Sequence, residues 1–481
     1  FKAIVKSQTA LRPGNIVRKY YLKLPIPLDF RVYFFNISNP EQVQNGEVPN
    51  LMEIGPYCYD AYKEKIDVLD NSTEDTLTYT PYETYFFNQE RSGRLSQDDY
   101  VTILNPLTVG IVLSVVKTQP ALLNTVNKAI NSIFNNPQSI YLTVKVRDIL
   151  FDGIVINCTV KDFAGRAACS QMKSQMSGLV EIAPKIYLFS IFGPKNGTLP
   201  QRVEVKRGKQ KARDLGRLVS INDQPRLKIW ATDECNQYHG TDGWVFPAFL
   251  QNVDQIWAYS ADLCRSIYMN YTETLEMHQL TSRRYEGTLG DQSSNPEDQC
   301  YCTTPKTCLP KGVFDLTKCI GAPIYATLPH FYETDPKFLQ QVNGLKPDHD
   351  QHSLFAIFEP TLGIPLEARK RMQLNLEIAP NDKISFMKSL PAALHPIFWI
   401  EEGVVLEGNL LKMVTSVFTI LDVTNITKYL FLICGLIGCA IGGSMYYKNR
   451  KTATITPFNS VVRSVNNKID CVQMNLRNKN E

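Results

Sequence analysis

The sequence carries none of the short patterns that announce common catalytic chemistries. It has no G-x-S-x-G nucleophile elbow, no H-E-x-x-H zinc helix and no G-x-x-x-x-G-K-[ST] phosphate loop. Histidine, the most frequent general base, occurs only six times. His349 and His352 share the acidic stretch KPDHDQH, which reads as an exposed turn, and His330 in LPHF reads as a packed side chain. Function has to be argued from a site, so the expectation is a non-enzymatic protein with no catalytic residue, metal or cofactor. Charge of one sign is scarce as well. From Lys448 onward there are seven basic and two acidic residues, which leaves 44 basic and 45 acidic residues in the rest. A body this neutral gives no electrostatic reason to expect nucleic acid. Repeats and low-complexity tracts are missing, and a mean hydropathy of −0.18 excludes a chain that crosses a membrane many times.

What is present is a globular balance with one conspicuous apolar run. Apolar residues make up 44% and charged residues 20% of 481 positions, enough for a sizeable core. Tyr429 to Tyr447 reads YLFLICGLIGCAIGGSMYY, nineteen residues without a charge. As a helix it spans about 28 Å, close to the ~30 Å hydrocarbon layer. Two tyrosines close it, and Lys448, Arg450 and Lys451 follow, the pattern of a cytoplasmic helix end. The expected organisation is an extracellular or lumenal domain over 1–428, a transmembrane helix over 429–447 and a cytoplasmic tail over 448–481. A large exported body with a C-terminal anchor also needs an exporting segment at its other end. The opening FKAIVKSQTALRPGN reads as chain that has just left a membrane, so an N-terminal signal or span is expected to precede Phe1. Within the helix, Gly438-x-x-x-Gly442 permits close approach of another helix.

Sequons and cysteines fit that topology. Asn36, Asn71, Asn157, Asn196 and Asn270 each open an N-x-S/T pattern and are expected to carry glycans. Asn425 opens another but lies too near the bilayer. Nine of twelve cysteines precede the apolar run, and six of them, Cys235, Cys264, Cys300, Cys302, Cys308 and Cys319, crowd together. In an oxidising compartment that is a disulfide framework, although six cysteines allow about fifteen pairings. The competing reading, a zinc knot around Cys300-x-Cys302 and Cys308, lacks paired C-x-x-C spacing. An odd number leaves at least one thiol unpaired within the chain.

The body reads as strands around a helical insert. Phe30–Ile37, Asp75–Asn88, Ser139–Val146, Lys185–Gly193 and Lys228–Ala231 are rich in β-branched and aromatic residues. Over 105–135, Asn105-Pro106 starts one helix and Pro120 another, with Leu123, Val126, Ile130, Ile133 and Phe134 at helical spacing. Further helices are expected at 365–371 and Met387–Leu394. The basic stretch 204–217 reads as a solvated loop or edge strand.

Several ordered blocks then carry a family resemblance. Phe34-Phe35-Asn36-Ile37-Ser38-Asn39-Pro40 is followed by Glu53-Ile54-Gly55-Pro56-Tyr57. Further on come Gly240-Thr241-Asp242-Gly243, Leu328-Pro329-His330-Phe331, Gly344-Leu345-Lys346-Pro347 and Phe358-Glu359-Pro360. This series resembles the class B scavenger receptor (fatty-acid translocase) family from about Phe1 to the apolar run. Ile156-Asn157-Cys158, Cys169 and Trp399-Ile400-Glu401-Glu402-Gly403 are most similar to its insect sensory neuron membrane proteins.

The resemblance implies an α+β fold: a large, distorted antiparallel β-barrel ectodomain with a helical bundle at its apex, anchored in the plasma membrane by two passes. It implies the pairs Cys235–Cys300, Cys264–Cys319 and Cys302–Cys308, with Cys158–Cys169 a candidate fourth and Cys58 left alone. It also implies a hydrophobic tunnel that passes lipophilic, pheromone-like ligands toward the membrane or a receptor channel in chemosensory neurons. The expected partners are the ligand, the membrane, an odorant receptor channel and an odorant-binding protein. The ligand-binding residues are unassigned. Where some relatives carry apical lysines for acidic head groups, this chain has Asn135-Asn136-Pro137, which favours neutral lipophiles; Lys128 is the nearby cation. The alternatives are a general scavenger of fatty acids or lipoproteins, and an adhesion or structural glycoprotein.

Overall fold

The structure is a computed structural model and describes residues 2–175, 178–302, 304 and 307–477; the side chains of 174–175, 421–422, 425 and 452–477 lie outside the description. The chain divides into two units, at Leu406 and Glu407.

The first unit is built on a large antiparallel sheet. Its strands are β1 Leu28–Ile37, β2 Leu51–Asn71, β3 Thr76–Phe87, β4 Val203–Lys206, β5 Leu218–Ile221, β6 Gln255–Ser260, β7 Arg265–Met277, β8 Leu280–Gly287, β9 Leu354–Glu359, β10 Ile364–Ile378 and β11 Ala393–Val405. They hydrogen-bond in the order β5-β4-β3-β2-β1-β11-β10-β9-β8-β7-β6. The two edges are joined by residues 240–242. The Leu218 N–H donates to the Gly240 carbonyl (3.1 Å), the Thr241 N–H to Trp257 (3.1 Å) and the Tyr259 N–H to Thr241 (2.8 Å). The sheet is thereby nearly closed into a barrel, which leaves few strand edges unpaired. Gly240 makes this possible: its φ is +79°, and a Cβ there would lie 1.9 Å from the Trp257 carbonyl oxygen.

Period-two alternation sorts the side chains. On β1, Phe30, Val32 and Phe34 are buried on the face that also carries Tyr57, Tyr59 and Ala61 of β2 and Phe398 and Ile400 of β11, as the registers require. Tyr62 and Phe86 lie on the opposite face of β2 and β3 and are exposed. The barrel interior is therefore aromatic by construction.

The insert forms helices at Pro106–Thr118 and Leu123–Ile133, joined through a 3-10 turn at Pro120–Leu122. Asn105 caps the first, its side-chain oxygen accepting from the Leu107 and Thr108 N–H groups. A third helix, Phe163–Gln175, had no periodic signature strong enough to mark it in the sequence. Cys158 and Cys169, Met172 and Tyr187 pack with Leu107 and Ile133, which ties these helices to a small sheet of Ile154–Asn157, Ile186–Phe189 and Leu179–Ala183.

Three local expectations are corrected. Residues 365–371 are strand, not helix: β10 pairs with β9 over Ile364–Arg369 and with β11 over Glu367–Ile378, and this pairing overrides the helical preference of Glu367-Ala368-Arg369-Lys370. Met387–Leu394 is not a helix. A 3-10 turn ends at Met387, and the Leu394 N–H is taken by the Gln341 side chain (2.8 Å) as β11 begins. Lys228–Ala231 is not a strand, because the Ile229 and Trp230 N–H groups donate to the Asn236 side chain (3.0 and 2.9 Å) instead of to a neighbouring strand. The basic stretch 204–217 covers the end of β4 and its connection to the edge strand β5. Arg207 within it is buried and paired with Asp70 and Asp75, while Lys209, Lys211 and Arg213 are exposed.

The second unit is a helix, Gly408–Arg477. Ile426–Lys451 within it has mean hydropathy 1.8, and its side chains are exposed. By length and composition it can cross a membrane, and it contains the expected run 429–447. Of the expected tail, residues 478–481 lie outside the described residues.

Candidate functional site

The barrel interior offers two adjoining surfaces. The first is a cluster of rings. Phe30 meets Tyr85 and Phe192 at 5.2 and 5.3 Å between centroids, Tyr59 meets Phe87 and Phe151 at 5.3 and 4.9 Å, and Phe192 meets Phe398 at 6.1 Å. Phe151 reaches this cluster from a π-turn over Asp148–Asp152, a rare backbone form frequent at functional sites. Tyr85, Phe87, Phe151, Leu374 and Val404 pack against the buried core yet keep accessible surface.

The second surface is a row of six ionisable groups, acidic and basic in alternation: Glu83, Lys63, Glu402, Lys370, Asp262 and Lys195. Lys63 pairs with Glu402 and, at 3.4 Å, with Glu83; Asp262 accepts from Lys370 and, at 2.5 Å, from Lys195. Lys370 and Glu402 face each other across β10 and β11. The Tyr85 hydroxyl donates to Glu83 (2.5 Å). The Lys370–Asp262 pair spans the interior, since β9, β8 and β7 separate β10 from β6 in the sheet and Asp262 sits in the β6–β7 turn. Cys264–Cys319 fastens that turn, so a disulfide holds one end of the row.

The electrostatics follow from this pairing. Lys195 and Lys370 hold Asp262 well below the ordinary carboxylate range. Burial alone would raise Glu402, but Lys63 and Lys370 outweigh it and hold Glu402 down. Burial would lower Lys63, and Glu402 more than reverses that. Lys63, Glu402, Lys370 and Asp262 are therefore charged at neutral pH, two positive against two negative. The side chains of Lys63, Glu402, Lys370 and Asp262 keep 12, 15, 38 and 21% of their accessible surface, so the protein covers the row only in part.

The expected site residues are distributed around this interior. Cys235 is joined to Cys300, Cys302 to Cys308 and Cys158 to Cys169. Cys58 is unpaired and buried on the outward face of β2, its N–H bonded to Ser92 (2.9 Å). Asn71, Asn157, Asn196 and Asn270 are exposed. Asn36 is half-buried in β1, its oxygen accepting from the Thr102 N–H (2.8 Å). Lys128 is exposed on its helix, and Asn135 and Asn136 adopt left-handed backbone at its end. His330 and His352 are buried and stacked at 4.4 Å, with His330 Nε2 against Glu53 (2.5 Å), whereas His349 is exposed. The six-membered charged row was not singled out from the sequence. Its cue was partial: Glu402 lies between the inward apolar residues Ile400 and Val404, whereas Lys63 lies between Ala61 and the buried Lys65.

Comparison with known proteins gives a consistent result. The CD36 family profile, that of the class B scavenger receptors, matches residues 1–446. The chain is 38% identical over 447 residues to "Sensory neuron membrane protein 1" of Apis mellifera, covering 93% of this chain and 86% of that protein. It is 39% identical over 455 residues to the protein of that name from Manduca sexta, covering 93% and 87%. The Pediculus humanus subsp. corporis protein is 37% identical over 468 residues, covering 96% and 90%.

Proposed function

This chain belongs to the CD36 family, and from that premise we propose that it is a non-catalytic membrane receptor of sensory neurons that carries a long-chain lipophilic ligand through its barrel interior. The observation that bears most weight is the cluster of inward-facing, partly accessible rings on the barrel wall. Each methylene moved from water onto such a wall is worth about 0.8 kcal/mol, so affinity rises with chain length. No bond is made or broken. The helices at 106–133 and 163–175 form the apex where ligand enters, and the ligand leaves toward the membrane or a receptor channel. The relatives' name, sensory neuron membrane protein, supports the cellular setting. An odorant receptor channel and an odorant-binding protein are the corresponding partners. The chain is anchored in the plasma membrane by two passes, one of them within Ile426–Lys451, with the barrel outside and carrying glycans at exposed sequons.

Equilibrium binding tests this reading. The full chain in lipid nanodiscs is titrated with unbranched acetate esters of increasing length. Saturable binding near one ligand per chain that tightens with each methylene supports it. A folded, disulfide-intact protein that binds none of the series refutes it.

A further inference from the structure

We propose that the alternating row Glu83–Lys63–Glu402–Lys370–Asp262–Lys195 is a charge filter that admits uncharged, hydrogen-bond-accepting head groups and rejects carboxylates. This rests on the interior being the ligand path. The argument runs on charge balance. Three ammonium groups face three carboxylates, and every cation already has an anionic partner. A fatty-acid carboxylate brought alongside must displace one of those partners or remain an uncompensated charge beside three carboxylates, and both are costly.

An ester, aldehyde or alcohol faces neither penalty. Each ammonium has three N–H donors; Lys370 and Lys195 each engage one carboxylate, Asp262, and retain donors for a neutral oxygen. Both keep 38 and 43% of their side-chain surface, so a ligand oxygen can reach them. The ring cluster is contiguous with the row, because the Tyr85 ring packs on Phe30 while its hydroxyl bonds Glu83. A chain lying on the rings therefore presents its polar end to the row.

Removing one negative charge should open the filter. Glu402→Gln leaves Lys63 and Lys370 in excess, and Asp262→Asn does the same for Lys370 and Lys195. Asp262→Asn is the variant better able to fold, since its two lysines are partly accessible. The full-length protein in nanodiscs is titrated with three probes of equal chain length: hexadecyl acetate, hexadecanol and hexadecanoate. The wild type should favour the acetate over the acid by at least tenfold. Both variants should narrow or reverse that ratio by at least tenfold, mostly through tighter acid binding. Arg226→Gln, in the exposed Arg226–Asp233 pair away from the row and the helices, should leave the ratio unchanged. A wild-type ratio retained in a folded Asp262→Asn protein overturns the filter while leaving the tunnel intact. A wild type that binds none of the three probes overturns the tunnel reading and the filter with it.

Discussion

Mild acid should loosen the barrel while Asp262 and Glu402 stay ionised, and His352 should account for a defined share. Its ring is buried; Nδ1 accepts the Asp348 N–H (2.9 Å), and the His330 ring stacks on it at 4.4 Å. Burial, and then His330, pushes its pKa down to about 4. Burial does the same to His395, also to about 4, where Tyr141 lies 3.0 Å from Nε2 and the Pro396 carbonyl 2.7 Å from Nδ1. A histidine whose folded pKa is lowered binds protons better when unfolded. Its contribution to stability is full above the unfolded pKa near 6.5 and is lost as pH falls toward 4. Between pH 7 and pH 5 each histidine should remove about 2 kcal/mol. With an unfolding entropy near 2.1 cal/mol/K per residue, that is roughly 2 °C in Tm for a unit of this size. Asp262 and Glu402 are held below their ordinary range and stay ionised in this window. Thermal unfolding of the wild type and of His352→Gln at pH 7 and pH 5 measures the difference. The variant should lose about half of the two-histidine acid shift. A variant that keeps the full shift would refute the assignment to His352.

Four further outcomes follow from particular contacts. Arg265→Met should cost about 3–5 kcal/mol, because it leaves Asp298, buried with its partner at 5 and 4% side-chain exposure, without its cation; denaturant titration reads this. Gly240→Ala should disrupt barrel closure, since its Cβ would strike the Trp257 carbonyl, and amide exchange should rise in β5 and β6 before other strands. Replacing Cys158 and Cys169 by serine frees an 11-residue separation, worth about 3 kcal/mol of loop closure, and should expose Phe163–Gln175 to proteolysis. Glycosidase treatment with mass mapping should find glycans at Asn71, Asn157, Asn196 and Asn270, with Asn36 the least occupied because of its half-burial.

The strands and the helical hairpin were legible because they depend on local signals. β-Branched and aromatic composition marked the strand at Phe30–Ile37, and Asn105-Pro106 marked a helix start that the structure caps as expected. The failures came where distant partners decide. Glu367-Ala368-Arg369-Lys370 has helical preference, and only the register with Val405, Val404, Gly403 and Glu402 makes it strand. Lys228–Ala231 has strand composition, and only Asn236, whose side chain captures its N–H groups, makes it irregular. The charged row is illegible for the same reason: its six members come from β2, β3, β10, β11 and two loops, and Lys370 and Asp262 are 108 residues apart.

The central claim is that ligand lies inside the barrel, and residue-level photocrosslinking tests it most directly. The full chain in nanodiscs is irradiated with a hexadecyl acetate bearing a diazirine on its chain, with and without excess unlabelled ester. The account predicts competed label on inward residues such as Tyr85, Phe151, Leu374 and Val404. Competed label confined to outward residues such as Tyr62 and Phe86 would contradict it.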